Sequence, residues 1–159
     1  MTIFGKKLSE YVAFQKGILA VIAIVGILRL GLSLAGVANA TTKWLSMTVV
    51  VLIATIYYGV VVYTKRFGSY RQILPLLVNQ SILANLIVIV GILISAATGK
   101  QNIFTANEYG GNLSVPLHIG GHVLAGLVIF PLVGWAIASL VMFVTRKVTG
   151  TPRPAAATA

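Results

Sequence analysis

The sequence predicts an all-α integral membrane protein, folded as a bundle of four transmembrane helices. Hydrophobic residues make up 58% of the 159 residues and charged residues only 9%, whereas a soluble domain carries about 25% charged residues. Four apolar stretches are each long enough to cross a hydrocarbon core, which needs about 20 helical residues. None of them alternates polar and apolar residues as barrel strands do, so helices are the only spanning structure left.

The chain divides into a short N-terminal segment, a membrane domain and a tail. Residues 1–16 are expected to lie on the cytoplasmic side, and residues 17–150 to form the membrane domain. The tail, 151–159, is rich in Pro and Ala and is expected to be flexible. Within the membrane domain we expect helices at about 17–38, 44–64, 73–97 and 122–145.

The first apolar stretch also has features of a signal peptide. Lysines precede it, and it ends at Ala38-Asn39-Ala40, which resembles a signal-peptidase site. The stretch is nevertheless too long for the apolar region of a signal peptide, and it contains Arg29. We therefore expect a retained helix.

The connections between the helices differ in length. Short connections follow the first and second helices, which makes consecutive helices antiparallel neighbours. The third connection, 98–121, is long and rich in Asn and Gly. Loops beyond about 12–15 residues in a compact domain are usually functional or disordered. This long loop is therefore the first place to look for a site.

Basic residues predict the orientation in the membrane. The chain has twelve Lys and Arg against two Asp and Glu. They cluster in the N-terminal segment, in the second connection and near the C terminus, while the other two connections hold only Lys43 and Lys100. The positive-inside rule then places both termini in the cytoplasm and the 98–121 loop outside. Anionic lipid headgroups also favour this pattern, and no module for binding nucleic acid is visible.

Several chemistries are excluded by composition. The chain has no cysteine, which removes thiol redox chemistry, Cys-ligated zinc and iron–sulfur clusters. No acidic residue lies within an expected span, which disfavours proton-coupled transport through a carboxylate. Walker, GxSxG and HExxH motifs are absent from the sequence. We therefore expect a non-enzymatic function rather than an enzymatic one.

Arg29 is the charged residue that the expected spans place deepest. At about 1.5 Å per residue from Gly17, it lies roughly 18 Å into the membrane, where a charge costs at least about 2.5–3.5 kcal/mol. Asn85 is expected at nearly the same depth, and the loop acid Glu108 is the other candidate partner. Two interpretations stay open: a structural clamp with Asn85, Ser33 or backbone carbonyls, or a contact to an anionic ligand such as a haem propionate, a lipid headgroup or a quinone oxygen.

His118 and His122 are the only histidines. Their i, i+4 spacing puts both on one face if the fourth helix extends that far. With Glu108 they form a candidate set for a transition metal, and Met47, expected at a depth near His122, is a candidate soft ligand for a metal or a haem. The alternative is a pair of interfacial histidines that contact only water and headgroups.

These features favour a small four-helix binding or accessory subunit of a larger membrane assembly. Alternatives are a haem- or metal-binding redox module with its site at the outer face, and a small-solute carrier with a cavity at the level of Arg29 and Asn85. Expected partners are the lipid bilayer and other membrane subunits or further copies of the chain, with no nucleic acid. We expect a multi-pass protein of the cell membrane, and more specifically of a bacterial inner membrane.

Overall fold

The computed structural model describes residues 2–150, and most of them are helical. The first element is a β-hairpin with two strands of two residues each. Helices follow, and one long irregular connection lies between them. In chain order the elements are β1 (Thr2–Ile3), β2 (Lys6–Lys7), α1 (Leu8–Leu34), α2 (Asn39–Thr42), α3 (Met47–Thr64), α4 (Tyr70–Thr98), a 3-10 turn (Asn107–Tyr109), α5 (Val115–Gly121), a π-helical segment (His122–Ile129) and α6 (Phe130–Thr149).

Four helices are long and apolar enough to cross a membrane, which confirms the predicted helical architecture. They cover Leu8–Leu34, Asn39–Thr64, Tyr70–Thr98 and Val115–Thr149. All four are longer than the sequence predicts, and two of them begin much earlier. The first begins at Leu8 instead of near residue 17, and the last begins at Val115 instead of near residue 122.

The early start of α1 is explained by its N-terminal cap. The Glu10 carboxylate accepts a hydrogen bond from the Lys7 backbone N–H at 2.7 Å and lies 3.6 Å from Lys6 Nζ. A carboxylate in the first turn satisfies a free N–H and favours the positive end of the helix dipole. The polar residues before position 17 therefore continue the helix.

The N-terminal hairpin closes one end of the bundle. Phe4 and Gly5 turn the chain with positive φ angles of 50° and 85°. The Tyr11 hydroxyl donates to the Ile3 carbonyl at 2.9 Å, and Gln72 Nε2 donates to the Phe4 carbonyl at 2.8 Å. The hairpin is thus tied to the first turns of both α1 and α4.

α3 and α6 approach each other closely through Gly59. A Cβ atom built at this glycine would lie 2.7 Å from the Ala138 carbonyl oxygen and 2.7 Å from the Val141 Cβ. Small residues allow such close packing between helices that lipid surrounds. The core around this contact consists of Tyr11, Ala54, Tyr58, Val62, Ile73, Leu76, Leu77, Ala138 and Met142.

The first half of the long connection is packed into the other end of the bundle. Residues 102–106 are all buried. Asn102 Nδ2 donates to the Gly91 carbonyl at 2.7 Å, the Ile103 N–H donates to Ser33 Oγ at 2.7 Å, and Thr105 Oγ1 donates to Ser95 Oγ at 3.0 Å. These bonds fix the segment between α1 and α4.

The last membrane helix contains a π-helical segment. Residues His122–Ile129 have the wider π turn, between the α-helical segments α5 and α6. Pro131 follows directly, near the start of α6, and it has no N–H to donate to the preceding turn. π-helical turns inside α-helices are frequent at functional sites, and this one forms part of a cavity wall.

Candidate functional site

A cavity of about 280 Å³ lies between α3, α4 and the last membrane helix. Most of its wall is apolar, so it suits an apolar body. Its lining residues are Met47, Thr48, Val51, Leu52 and Thr55 from α3, Ser81, Ala84, Asn85 and Val88 from α4, and His122, Gly126, Phe130, Val133, Gly134 and Ile137 from the last helix.

Asn85 and His122 form a hydrogen-bonded pair in the wall of this cavity. Asn85 Nδ2 donates to the Ser81 carbonyl at 2.9 Å, which leaves Asn85 Oδ1 as the acceptor 3.1 Å from His122 Nδ1. His122 Nδ1 therefore carries the hydrogen, and in the neutral ring Nε2 has the free lone pair. Within residues 2–150, no group donates to that Nε2 atom, so it can accept a hydrogen bond or ligate a metal.

Gly126 makes room for the Asn85 side chain. A Cβ atom at position 126 would overlap the Asn85 amide. The residue lies in the π-helical segment, one turn after His122. The absence of a side chain at this position lets the amide lie against the helix backbone and reach the imidazole.

Met47 lines the same cavity as His122. It is the first residue of α3, where Ser46 Oγ accepts a hydrogen bond from the Val49 N–H at 3.3 Å. Its sulfur packs against Gly26 of α1, and the side chain is almost fully buried. The structure thus brings together two of the residues that the sequence singles out, a thioether and an imidazole.

His118 lies beside His122 but does not line the cavity. The two ring centroids are 5.2 Å apart and the rings are inclined by 33°. His118 is only 6% exposed, and its Nε2 atom has no hydrogen-bond partner among the described residues. A Cβ atom at Gly110 would lie 3.3 Å from that nitrogen, so the long connection 98–121 covers this ring.

Glu108 is exposed in the 3-10 turn. Over residues 2–150, no group of three His, Cys, Asp or Glu side chains is arranged to hold a metal ion. The structure therefore does not assemble His118, His122 and Glu108 into one ligand set. Glu108 is not among the residues that line the cavity.

Arg29 is buried against two aromatic rings of the long connection 98–121. Its guanidinium carbon lies 5.5 Å from the Phe104 ring centroid and 5.4 Å from that of Tyr109. The residue is 8% exposed, and its Nε atom has no hydrogen-bond partner in the described part of the chain. The expected partner Asn85 is engaged with His122 and Ser81 instead. The guanidinium therefore packs on aromatic rings, and the expected contact to Asn85 is not formed.

Replacing Arg29 with Leu should loosen the long connection while the helices stay intact. Each cation–π contact contributes about 0.5–1 kcal/mol or more when desolvated, so local opening of residues 99–110 should become about tenfold more frequent. Amide hydrogen exchange of that segment measures the change. Lys43→Leu, which removes a charge beside the exposed Trp44, is the control. Unchanged exchange in Arg29→Leu would show that the aromatic contacts do not hold the segment.

The sequence does not reveal two further polar contacts. Gln80 Nε2 donates to Gln15 Oε1 at 3.1 Å, and both side chains are buried. Gln80 lies in a visible polar stripe of the third helix, but Gln15 falls before the helix start that hydropathy suggests. Asn102 and Thr105 are likewise buried. The composition of the loop alone does not indicate this burial.

Comparisons of the chain with protein-family models, with curated proteins and with solved structures found no match.

Proposed function

We propose that the protein is a small membrane subunit that binds a lipid-soluble molecule in the cavity between α3, α4 and α6. The observation that carries this proposal is the combination of mostly apolar walls with one oriented polar pair, Asn85–His122. Binding sites for small molecules are typically concave and mostly apolar, with a few placed polar groups. The proposed role of the protein is to bind this molecule, without a catalytic step.

The polar pair indicates the kind of ligand. His122 Nε2 offers a lone pair, so a ligand hydroxyl is the matching donor. The volume of about 280 Å³ lies just below the range of ligand sites, which run from about 300 to 1,000 Å³. A compact hydroxylated ring or headgroup fits this volume, and an attached apolar chain would extend between the helices into the bilayer.

Filling the cavity should displace the ligand. Val133 lines the cavity and is 51% exposed, and Val144 on the same helix is equally exposed but lies outside the lining. Val133→Phe should reduce the co-purifying molecule by about tenfold, which corresponds to about 1.4 kcal/mol of lost binding energy. Val144→Phe should retain it. Mass spectrometry of organic extracts measures both, and equal ligand content in the two variants would refute the assignment.

We further propose that the subunit works within a larger membrane assembly of the bacterial inner membrane. A cavity without catalytic groups suits a binding or accessory role, and many apolar side chains face outward. Blue-native electrophoresis of solubilised native membranes tests this point. Migration of the protein as a lone monomer would argue against the assembly.

The proposed orientation has both termini in the cytoplasm. The hairpin, the end of α3, the start of α4 and the end of α6 lie at one end of the bundle, and most basic residues are found there. A cysteine introduced at Asn112 should react with an impermeant reagent in intact cells, and one at Ser69 should react only after lysis. The reverse labelling pattern would invert the topology.

A haem or metal site is the second candidate function. Met47 and His122 line one cavity, and Asn85 orients the imidazole so that Nε2 is the free ligand atom. Visible absorption and elemental analysis of purified protein test this candidate. Haem or metal that is lost in His122→Ala would support the site with Met47 and His122, and equal content in wild type and His122→Ala would refute it.

A further inference from the structure

A second cavity lies at the opposite end of the bundle, where α3 ends and α4 begins. It has a volume of about 430 Å³. Its wall consists of two cationic side chains, two tyrosines, one phenylalanine and a backbone turn. The lining residues are Tyr63, Tyr70, Phe143, Arg146, Lys147 and Gly150.

Arg146 is held over two tyrosine rings in this cavity. Its guanidinium carbon lies 5.5 Å from the Tyr63 centroid and 5.7 Å from the Tyr70 centroid, and its Nη1 donates to the Tyr70 hydroxyl at 3.5 Å. Tyr70 is itself fixed, because its carbonyl accepts a hydrogen bond from Trp135 Nε1 at 2.7 Å. Tyr63 donates to the Gly150 carbonyl at 2.6 Å. These contacts preorganise the guanidinium.

Within residues 2–150, no acidic side chain neutralises this site. The sequence contains only two acidic residues. Glu10 lies 3.6 Å from Lys6 Nζ, and Glu108 is in the connection at the other end of the bundle. Arg146 and Lys147 accordingly form no ion pair with any residue of the described range. Their charges call for an anion from outside the chain.

We propose that this cavity binds the phosphate group of an anionic membrane lipid. Arg146 offers a planar set of N–H donors and Lys147 a second positive charge, and both groups form strong charge-assisted bonds to phosphate oxygens. The exposed Phe143 ring, 5.7 Å from Lys147 Nζ, adds an apolar wall for the lipid glycerol and acyl chains. Free phosphate would gain nothing from that wall.

Tryptophan fluorescence can report on this site. Of the two tryptophans, Trp135 bonds to Tyr70 of the cavity, whereas Trp44 is 82% exposed and outside the cavity lining. In a Trp44→Phe background, the protein is reconstituted in phosphatidylcholine nanodiscs with an increasing share of phosphatidic acid. We expect a saturable change of Trp135 emission. Arg146→Gln should need about tenfold more phosphatidic acid for the same change.

Control variants distinguish a specific binding site from nonspecific attraction between basic residues and anionic lipid. Lys7→Gln removes an exposed charge at the same end of the bundle but outside the cavity lining, and it should behave as the parent does. Lys147→Gln removes an exposed charge within the lining and should weaken the response, which keeps the test valid if Arg146→Gln fails to fold. Equal responses in the parent, Arg146→Gln and Lys147→Gln would overturn the proposal. Inorganic phosphate producing the same saturable change would overturn the assignment to a lipid.

Discussion

Gly59→Leu is expected to separate α3 from α6 and to destabilise the bundle by about 3 kcal/mol. Even a Cβ atom at this position would lie 2.7 Å from both the Ala138 carbonyl oxygen and the Val141 Cβ. Neither neighbour is the far end of a flexible side chain, so the two helices have to move apart. The buried residues around them, Tyr58 and Met142 among others, would lose contacts as well.

Gly17→Leu is the matched control for this prediction. It makes the same substitution inside a helix, at a glycine whose Cβ position has no neighbour within 4 Å. Leucine is the better helix former by several tenths of a kcal/mol, so this variant should be at least as stable as the wild type. Unfolding in dodecyl sulfate followed by circular dichroism measures both. Similar midpoints for the two variants would contradict the close α3–α6 contact.

His122→Leu should lower the affinity for the cavity ligand by about tenfold. The substitution removes the Nε2 acceptor, so the ligand hydroxyl would be buried without its partner inside an apolar wall. A lost hydrogen bond combined with an unsatisfied buried group costs about 1–3 kcal/mol. Ligand content after purification, measured by mass spectrometry of extracts, is the readout.

His118→Leu tests whether the ligand depends on His122 alone or on both histidines. His118 lies next to His122 but is absent from the cavity lining. Its replacement by an apolar residue should therefore leave the content of an organic ligand unchanged. Loss of an organic ligand in His118→Leu alone would contradict the proposed position of the ligand.

Hydropathy is sufficient to predict the four spans, because lipid permits few other structures for long apolar stretches. It places helix ends less well, since polar residues such as Glu10 and Gln15 belong to α1 without lowering its helical character. It also gives no sign that Asn102 is packed inside the bundle. That residue is buried because its amide finds a backbone carbonyl on α4, which depends on tertiary contacts.

The candidate site was predictable only in part. Counting depth along the helices predicts that Met47 and His122 lie at similar levels, and both line the cavity. Depth alone also suggests a contact between Arg29 and Asn85, yet Asn85 bonds to His122 and Arg29 packs on aromatic rings. The choice between partners at one depth depends on how the helices are rotated, and here on the π-helical turn that holds His122.

Nitrogen NMR of the two histidines tests the cavity proposal most directly. The chain contains only two histidines, so selective labelling gives two imidazole rings, which His122→Leu assigns. Delipidated protein is titrated with the apolar fraction extracted from native membranes. We predict a saturable shift of the His122 Nε2 resonance and a smaller one for His118. Equal shifts of both rings, or none at His122, would contradict binding in this cavity.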